Sequence, residues 1–206
     1  MKYSTKKIFY LLVGLALTQP LLAKTNILFF AGSTRADSYN KKLAQEAASI
    51  ASSMGADVTV LDLKDYPMPF YDEDLEKKQG MPKNAKRFRD AMIANQAVVI
   101  ASPEYNASIS AVLKNTLDWA SRSPEGSSSR EAFKGKKFAL MSASPGKMGG
   151  ARSLVPLQSI LEAIGGEVIG KKVIIPHVYE KGILDRESIK EELRAELSEL
   201  LSLIEN

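Results

Sequence analysis

Five short apolar runs punctuate the chain, and polar and apolar residues alternate at helical spacing between them. Thr25 to Ala31 (TNILFFA) is apolar after its first two residues and stops at Gly32, as a strand covered on both faces does. Ala56 to Leu63 alternates, and Ala97 to Ala101, Lys137 to Ala143 and Val168 to Ile175 supply three further strands. Ser38 is placed to cap a helix reaching Met54, with Leu43, Ala44, Ala47, Ile50 and Ala51 on one face and Gly55 ending it. Pro82 opens a helix toward Asn95, as proline does at a first helical position. Ser108 to Arg122, Gly150 to Ile164 and Asp185 to Ile204 carry the same period, the last with Ile189, Leu193, Leu197, Leu200 and Leu201 on its apolar side. Residues 64–81, with Pro67, Pro69 and the acidic run Asp72-Glu73-Asp74, read as a long irregular, solvated loop. Ser123 to Gly135 reads as a polar, mobile flap.

Strands alternating with helices predict one α/β domain over 24–206, with a parallel sheet wound on both faces. The five-stranded form has order 2-1-3-4-5, a flavodoxin-like three-layer α/β/α sandwich, and its switch point lies between strands 1 and 3. Ligands of such sheets bind at the carboxyl ends of the strands around that point. The loops after strands 1 and 3 therefore carry the functional expectation.

The first 23 residues stand apart from this pattern. Lys2, Lys6 and Lys7 precede an apolar run from Ile8 to Leu17, and Ala23 offers a small residue for cleavage. This matches a secretory signal peptide, or an N-terminal anchor if it is not cut. The leader implies export to the periplasm or a membrane tether, and a membrane contact only if it is retained. It also accounts for most of the net charge of +4, because the other 25 of the 28 Lys and Arg residues nearly balance 24 acids. No basic stripe interleaved with aromatics is present, so nucleic acid is not an expected partner. The chain has no cysteine, which excludes disulfides, thiolate catalysis and iron–sulfur clusters. His177, the one histidine, reads as a strand-end residue, and no metal site is expected.

The loop after strand 1 offers hydroxyls at Ser33, Thr34 and Ser38, the guanidinium of Arg35, the amide of Asn40, and backbone through Ala36, Asp37 and Tyr39. Such donors at a helix start suit one terminal phosphate. The loop has neither the lysine of a triphosphate-binding loop nor the glycine spacing of a dinucleotide fingerprint. After strand 3, Pro103-Glu104-Tyr105-Asn106 forms a rigid turn with outward backbone groups and a flat ring, which suits the edge of an isoalloxazine. Glu104 has no carboxylate or histidine nearby in sequence to make it a general base. A third loop, Ser142 to Arg152, brings Ser144, Gly146 and Gly149 beside the other two, its glycines permitting close backbone approach. Together these loops point to FMN.

At these residues, GSTRADSYNKKLA (32–44), SPEYNASISAVLKNTLDWASR (102–122) and SASPGKMGGAR (142–152), the chain resembles the NADPH-dependent FMN reductase family, which includes quinone, chromate and azo-dye reductases. The resemblance implies hydride transfer from NADPH or NADH through bound FMN to a small-molecule electron acceptor. It implies that Ser33 to Asn40 hold the ribityl phosphate, Pro103 to Asn106 meet the ring, and Ser144 with its neighbouring glycines closes the other side. It also implies a homodimer or homotetramer built through the helix containing Trp119 and Arg122, and a cytoplasmic site, at odds with the leader. Lys147, Arg152 and Arg122 are candidate partners for the extra phosphate of NADPH. A flavodoxin-type electron carrier and a non-catalytic exported flavin-binding protein are the competing readings.

Overall fold

The computed structural model describes residues 24–205, so the leader expected at 1–23 lies outside the described residues. The strands are β1 (Asn26–Ala31), β2 (Asp57–Leu61), β3 (Ala97–Ala101), β4 (Lys137–Ala143) and β5 (Glu167–Ile175). They form one five-stranded sheet of order β2-β1-β3-β4-β5 in which every pairing is parallel.

The helices are α1 (Tyr39–Ser53), α2 (Glu73–Gln79), α3 (Lys83–Ala94), α4 (Ala111–Ala120), α5 (Ala151–Ala163) and α6 (Glu187–Glu205). Strand pleating sends alternate side chains to opposite faces. Ile27, Phe29 and Ala31 of β1 pack with Leu43 and Ala47 of α1 and with Leu193, Leu197 and Leu200 of α6. Leu28 and Phe30 join the other core, with Phe88 of α3, Leu113 of α4 and Leu157 of α5. Both faces are thus covered at the centre of the sheet, which is why β1, β3 and β4 are almost continuously apolar, whereas the edge strands β2 and β5 interleave polar and exposed residues.

The stretch 64–81 is not the irregular loop its composition implies. Asp72 caps α2 through the N–H groups of Asp74 and Leu75. Glu73, Asp74 and Glu76 sit in the first turn, and Lys77 and Lys78 in the last, matching the helix dipole at both ends. The acidic run is therefore a helix start. Glu76 is buried and receives Arg122 Nε and Nη2 at 2.8–3.0 Å. Pro69 O accepts hydrogen bonds from Trp119 Nε1 and Asn115 Nδ2, so α4 holds this segment along its length.

The polar segment 123–135 is likewise anchored. Ala132 and Phe133 are fully buried, and the buried Arg89 of α3 reaches Glu131 and Ser129. Trp119 is fully buried within the protomer.

β5 is interrupted by a bulge. Phe138 pairs with Val168 but Leu140 with Lys172, so β4 advances two residues while β5 advances four. Helix α6 covers this place, and Glu199 Oε1 accepts the N–H of Gly170 at 3.1 Å. Beside it Glu196 is fully buried, near the N–H groups of Val173 and Leu140. Neither of its oxygens finds a hydrogen-bond partner, and burial pushes the carboxyl up to about 8.

Candidate functional site

At the carboxyl edge of the sheet, β1 and β3 part company, and the loops after β1, β3 and β4 surround a crevice of about 180 Å³. Its walls include Ser33, Arg35, Ser38, Tyr39, Asn40, Pro103, Glu104, Tyr105 and Ser144. These residues come from three separate stretches of the sequence, and the switch point of the sheet brings them together.

The loop after β1 is shaped by a close approach. A Cβ at Gly32 would meet Leu113 Cδ2 at 2.8 Å, so glycine lets the strand end against α4. Ser110 Oγ then donates to Gly32 O at 2.6 Å while accepting the N–H of Leu113, capping α4. Helix α4 therefore begins at Ala111, three residues beyond the Ser108 start read from the sequence. The displacement has a local cause. Tyr105 and Ser108 exchange backbone hydrogen bonds at 3.0 Å, with Asn106 (φ 50) and Ala107 (φ 60) between them. Two consecutive positive φ values mark a type I′ turn. The loop after β3 is therefore a one-turn hairpin with the half-exposed Tyr105 at its base.

The phosphate-type donors sit at the start of α1. Ser38 Oγ accepts the N–H of Lys41 at 3.4 Å, which leaves its hydroxyl proton free to donate outward. Ser33 Oγ accepts the N–H of Arg35 and has the same spare proton. The Arg35 guanidinium is exposed and forms no ion pair with any described residue. The N–H groups of Tyr39 and Asn40 are first-turn donors that an α-helix cannot satisfy internally. This donor set fits a phosphate dianion at a helix start.

Other predicted site residues take different places. Asn40 gives its amide to the framework: Nδ2 donates to Ala143 O at 2.9 Å, and Oδ1 accepts the Ala143 N–H at 3.0 Å. Ala36 and Asp37 are exposed and do not line the crevice. Thr34 and Asn106 line a neighbouring depression, beside Ile109 and Val112, that shares Ser33, Arg35 and Tyr105 with the crevice. Gly146 has open space where a Cβ would stand, apart from Ser144 Oγ at 3.9 Å. Gly149 (φ +60) packs under β5, where a Cβ would lie 2.5 Å from Ile174 Cγ2. Gly150, with φ +88, would place a Cβ 2.0 Å from Ser142 Oγ.

Glu104 has a partner that the sequence did not reveal. Its carboxylate accepts Arg152 Nε at 2.7 Å and the Arg152 backbone N–H at 3.1 Å. This pins the hairpin after β3 to the first turn of α5, across the mouth of the crevice. Arg152 and Arg122, both expected as phosphate partners, are thus engaged by Glu104 and Glu76.

The loop after β5 also contributes, which the sequence reading missed. His177 takes a left-handed conformation (φ 51), Val178 donates its N–H to Ser144 O, and Val178 and Tyr179 line the crevice. The rule that drew attention to the other strand-end loops applies equally to Pro176-His177-Val178-Tyr179. Among the described residues no group of His, Cys, Asp and Glu side chains is placed to hold a metal ion, and no helix is long and apolar enough to cross a membrane.

Residues 25–180 match the model of the NADPH-dependent FMN reductase family. The chain belongs to this family. An NAD(P)H-dependent FMN reductase of Pseudomonas aeruginosa is 38% identical over 135 residues, 66% of this chain and 68% of that enzyme. An NAD(P)H:quinone oxidoreductase of Solanum tuberosum is 34% identical over 181 residues, covering 84% and 89% of the two chains. The solved structure of FerB, a flavoenzyme NAD(P)H:(acceptor) oxidoreductase from Paracoccus denitrificans, superposes with a TM-score of 0.74 at 25% identity. It covers 88% of this chain and 97% of that one. This FMN reductase therefore has the cofactor and donor class of its family, FMN with NAD(P)H.

Proposed function

We propose that the crevice holds FMN with its phosphate at the start of α1 and its ring between the hairpin after β3 and the loop after β4. The acceptor in this reading is a quinone, free flavin, azo compound or metal oxyanion. The observation that carries it is the convergence at one switch point of unpaired phosphate donors with two loops clamped at a fixed separation. When bound, FMN supplies the redox chemistry, taking hydride from a reduced nicotinamide and passing electrons to the acceptor.

The residues have separable tasks. Arg35 and the hydroxyls of Ser33 and Ser38 hold the phosphate charge. Tyr105 and the hairpin backbone give the ring an apolar face and hydrogen-bonding groups along its edge. Glu104 and Arg152 keep the hairpin in place, and alignment of donor and acceptor over one ring lowers the barrier through proximity. Among the described residues Glu104 is the one carboxylate lining the crevice, and its two oxygens already accept from Arg152. In this reading Glu104 is a tether for the hairpin and not a general base.

A homodimer or homotetramer built beside α4 belongs to the same proposal, supported by the three-quarters-exposed Phe70 next to the Pro69 carbonyl that Trp119 holds. So does export, supported by the basic and apolar leader.

The test is an absorbance titration of the full chain with FMN, followed by anaerobic NADPH. Bound flavin that bleaches on NADPH addition is the expected result. Bound flavin that ignores NADPH and NADH but bleaches with dithionite would make the protein a carrier or a flavin-binding protein. Absence of bound flavin would overturn the assignment of both loops.

A further inference from the structure

A second cavity, of about 400 Å³, opens between α1 and the loop joining β5 to α6. It borders the crevice at Tyr39 and Tyr179, which line both. The two rings lie 5.6 Å apart at an interplanar angle of 55°. Tyr179 is 67% exposed, so most of a large aromatic ring is accessible at the cavity wall. The left-handed His177 and the tie from Val178 to Ser144 hold it there.

The charges around this cavity are unevenly engaged. Glu180 pairs with Arg186, and Glu46 faces Lys190 at 3.9 Å. Lys42 lies over the Tyr39 ring at 5.0 Å, and neither Lys42 nor Lys181 forms an ion pair among the described residues. Two cations are thus available at the rim, with Asp185 as the remaining free acceptor. A flat aromatic face, two unpaired ammonium groups and one carboxylate match a purine nucleoside carrying a phosphomonoester. The purine stacks, the phosphate takes the lysines, and a ribose hydroxyl or the exocyclic amine donates to the carboxylate.

We infer that this cavity binds the 2′-phosphoadenosine end of NADPH, with the adenine on Tyr179 and the 2′-phosphate between Lys42 and Lys181. The inference rests on the reading above, in which the crevice holds FMN and a nicotinamide donor approaches it. It makes this cavity the source of discrimination between NADPH and NADH, which differ only in that phosphate. Arg122 and Arg152 are excluded from the task by Glu76 and Glu104.

The experiment compares the FMN-loaded full chain with the double variant K42M/K181M. Calorimetry with adenosine 2′,5′-bisphosphate and with adenosine 5′-monophosphate gives a readout independent of turnover. The unmutated holoprotein should bind the bisphosphate about tenfold more tightly, and the variant should lose most of that difference, as expected for charge-assisted contacts at an exposed site. In steady-state assays KM for NADPH should rise about tenfold in the variant while KM for NADH and the FMN affinity stay within twofold. Equal affinity for the two nucleotides, or an NADPH KM unmoved by the double substitution, overturns the inference while leaving the flavin assignment intact. Bisphosphate binding lost in the variant without any change in NADPH KM would assign the cavity to a different phosphorylated nucleotide and also overturn it. Failure of the unmutated chain to bind FMN would remove the inference together with the reading beneath it.

Discussion

Replacing Glu196 by glutamine should stabilise the protein, and the gain should grow with pH. Burial pushes this carboxyl from 4.5 up to about 8, against the lowering pull of the Val173 and Leu140 N–H groups beside it. Between those values the folded chain keeps a proton that the unfolded chain has released. Stability therefore falls as pH rises through this window, by about 1.4 kcal/mol per unit for this one group. Below about pH 4.5 both states are protonated, and above about pH 8 both are ionised, so the dependence flattens at each end. From pH 5 to pH 8 the loss is on the order of 4 kcal/mol, a large share of the 5–15 kcal/mol typical of a domain. The neighbouring Lys171 and Glu199 act in opposite directions on this carboxyl and do not reverse the effect of burial.

Urea unfolding at pH 5, 6, 7 and 8, followed by fluorescence of the single, buried Trp119, measures the dependence directly. A fixed excess of FMN adds the same linkage to both variants, so only their difference is read. At pH 5 that difference reports the exchange of acid for amide in the packed site. The increase from there to pH 8 reports ionisation alone. Parallel stability curves for the two proteins would show that Glu196 ionises freely when folded and that the reasoning from burial is wrong.

Three further outcomes follow from the site. R35A should weaken FMN by about 1.5–3 kcal/mol, the range for a hydrogen bond to a charged group, in a flavin fluorescence titration; an unchanged affinity would place the phosphate elsewhere. G150A should cost more than about 2 kcal/mol, since it combines left-handed strain with a clash at Ser142 Oγ, and a thermal midpoint equal to that of the parent would mean the loop after β4 rearranges freely. A107G should gain about 0.5–1 kcal/mol, because relief of the positive φ exceeds the added backbone entropy of the unfolded chain. A loss of stability in that variant would show that the Ala107 methyl group matters more than the turn.

The central strands were legible because buried parallel strands leave continuous apolar runs such as ILFF and AVVIA, and the edge strand β2 through its alternation. The crevice was legible through the loops after β1 and β3, whose hydroxyl, guanidinium and proline content is foreign to a plain turn. What escaped had physical reasons. Helix α2 is seven residues long with only Glu76 buried, so no apolar stripe announces it, although Asp72, the terminal lysines and Gly80 carry the capping signals. Glu196 lies three residues from Leu193 and four from Leu200, on the buried face by spacing, but its polarity masks it in any count of apolar positions. The ties from Glu104 to Arg152 and from Asn40 to Ala143 join residues 48 and 103 positions apart. They depend on the path of the whole sheet, which no local pattern encodes.

The link between Asn40 and Ala143 has a further consequence. Beyond Ser102 the chain of β3 turns away at Pro103, so the last residue of β4 loses the neighbour that would have continued its ladder. The Asn40 side chain, with one donor and one acceptor in the same plane, serves as a one-residue substitute for that missing strand. The sheet can thus split at its rim without leaving an unpaired peptide group beneath the ligand. A graft of these loops onto another scaffold must bring this amide along, since an aspartate there would face the Ala143 carbonyl with a second acceptor. Reshaping the pocket for a bulkier cofactor is then a task for the exposed Lys147–Met148 tip, because the base of that loop is fastened to the helix that begins the site.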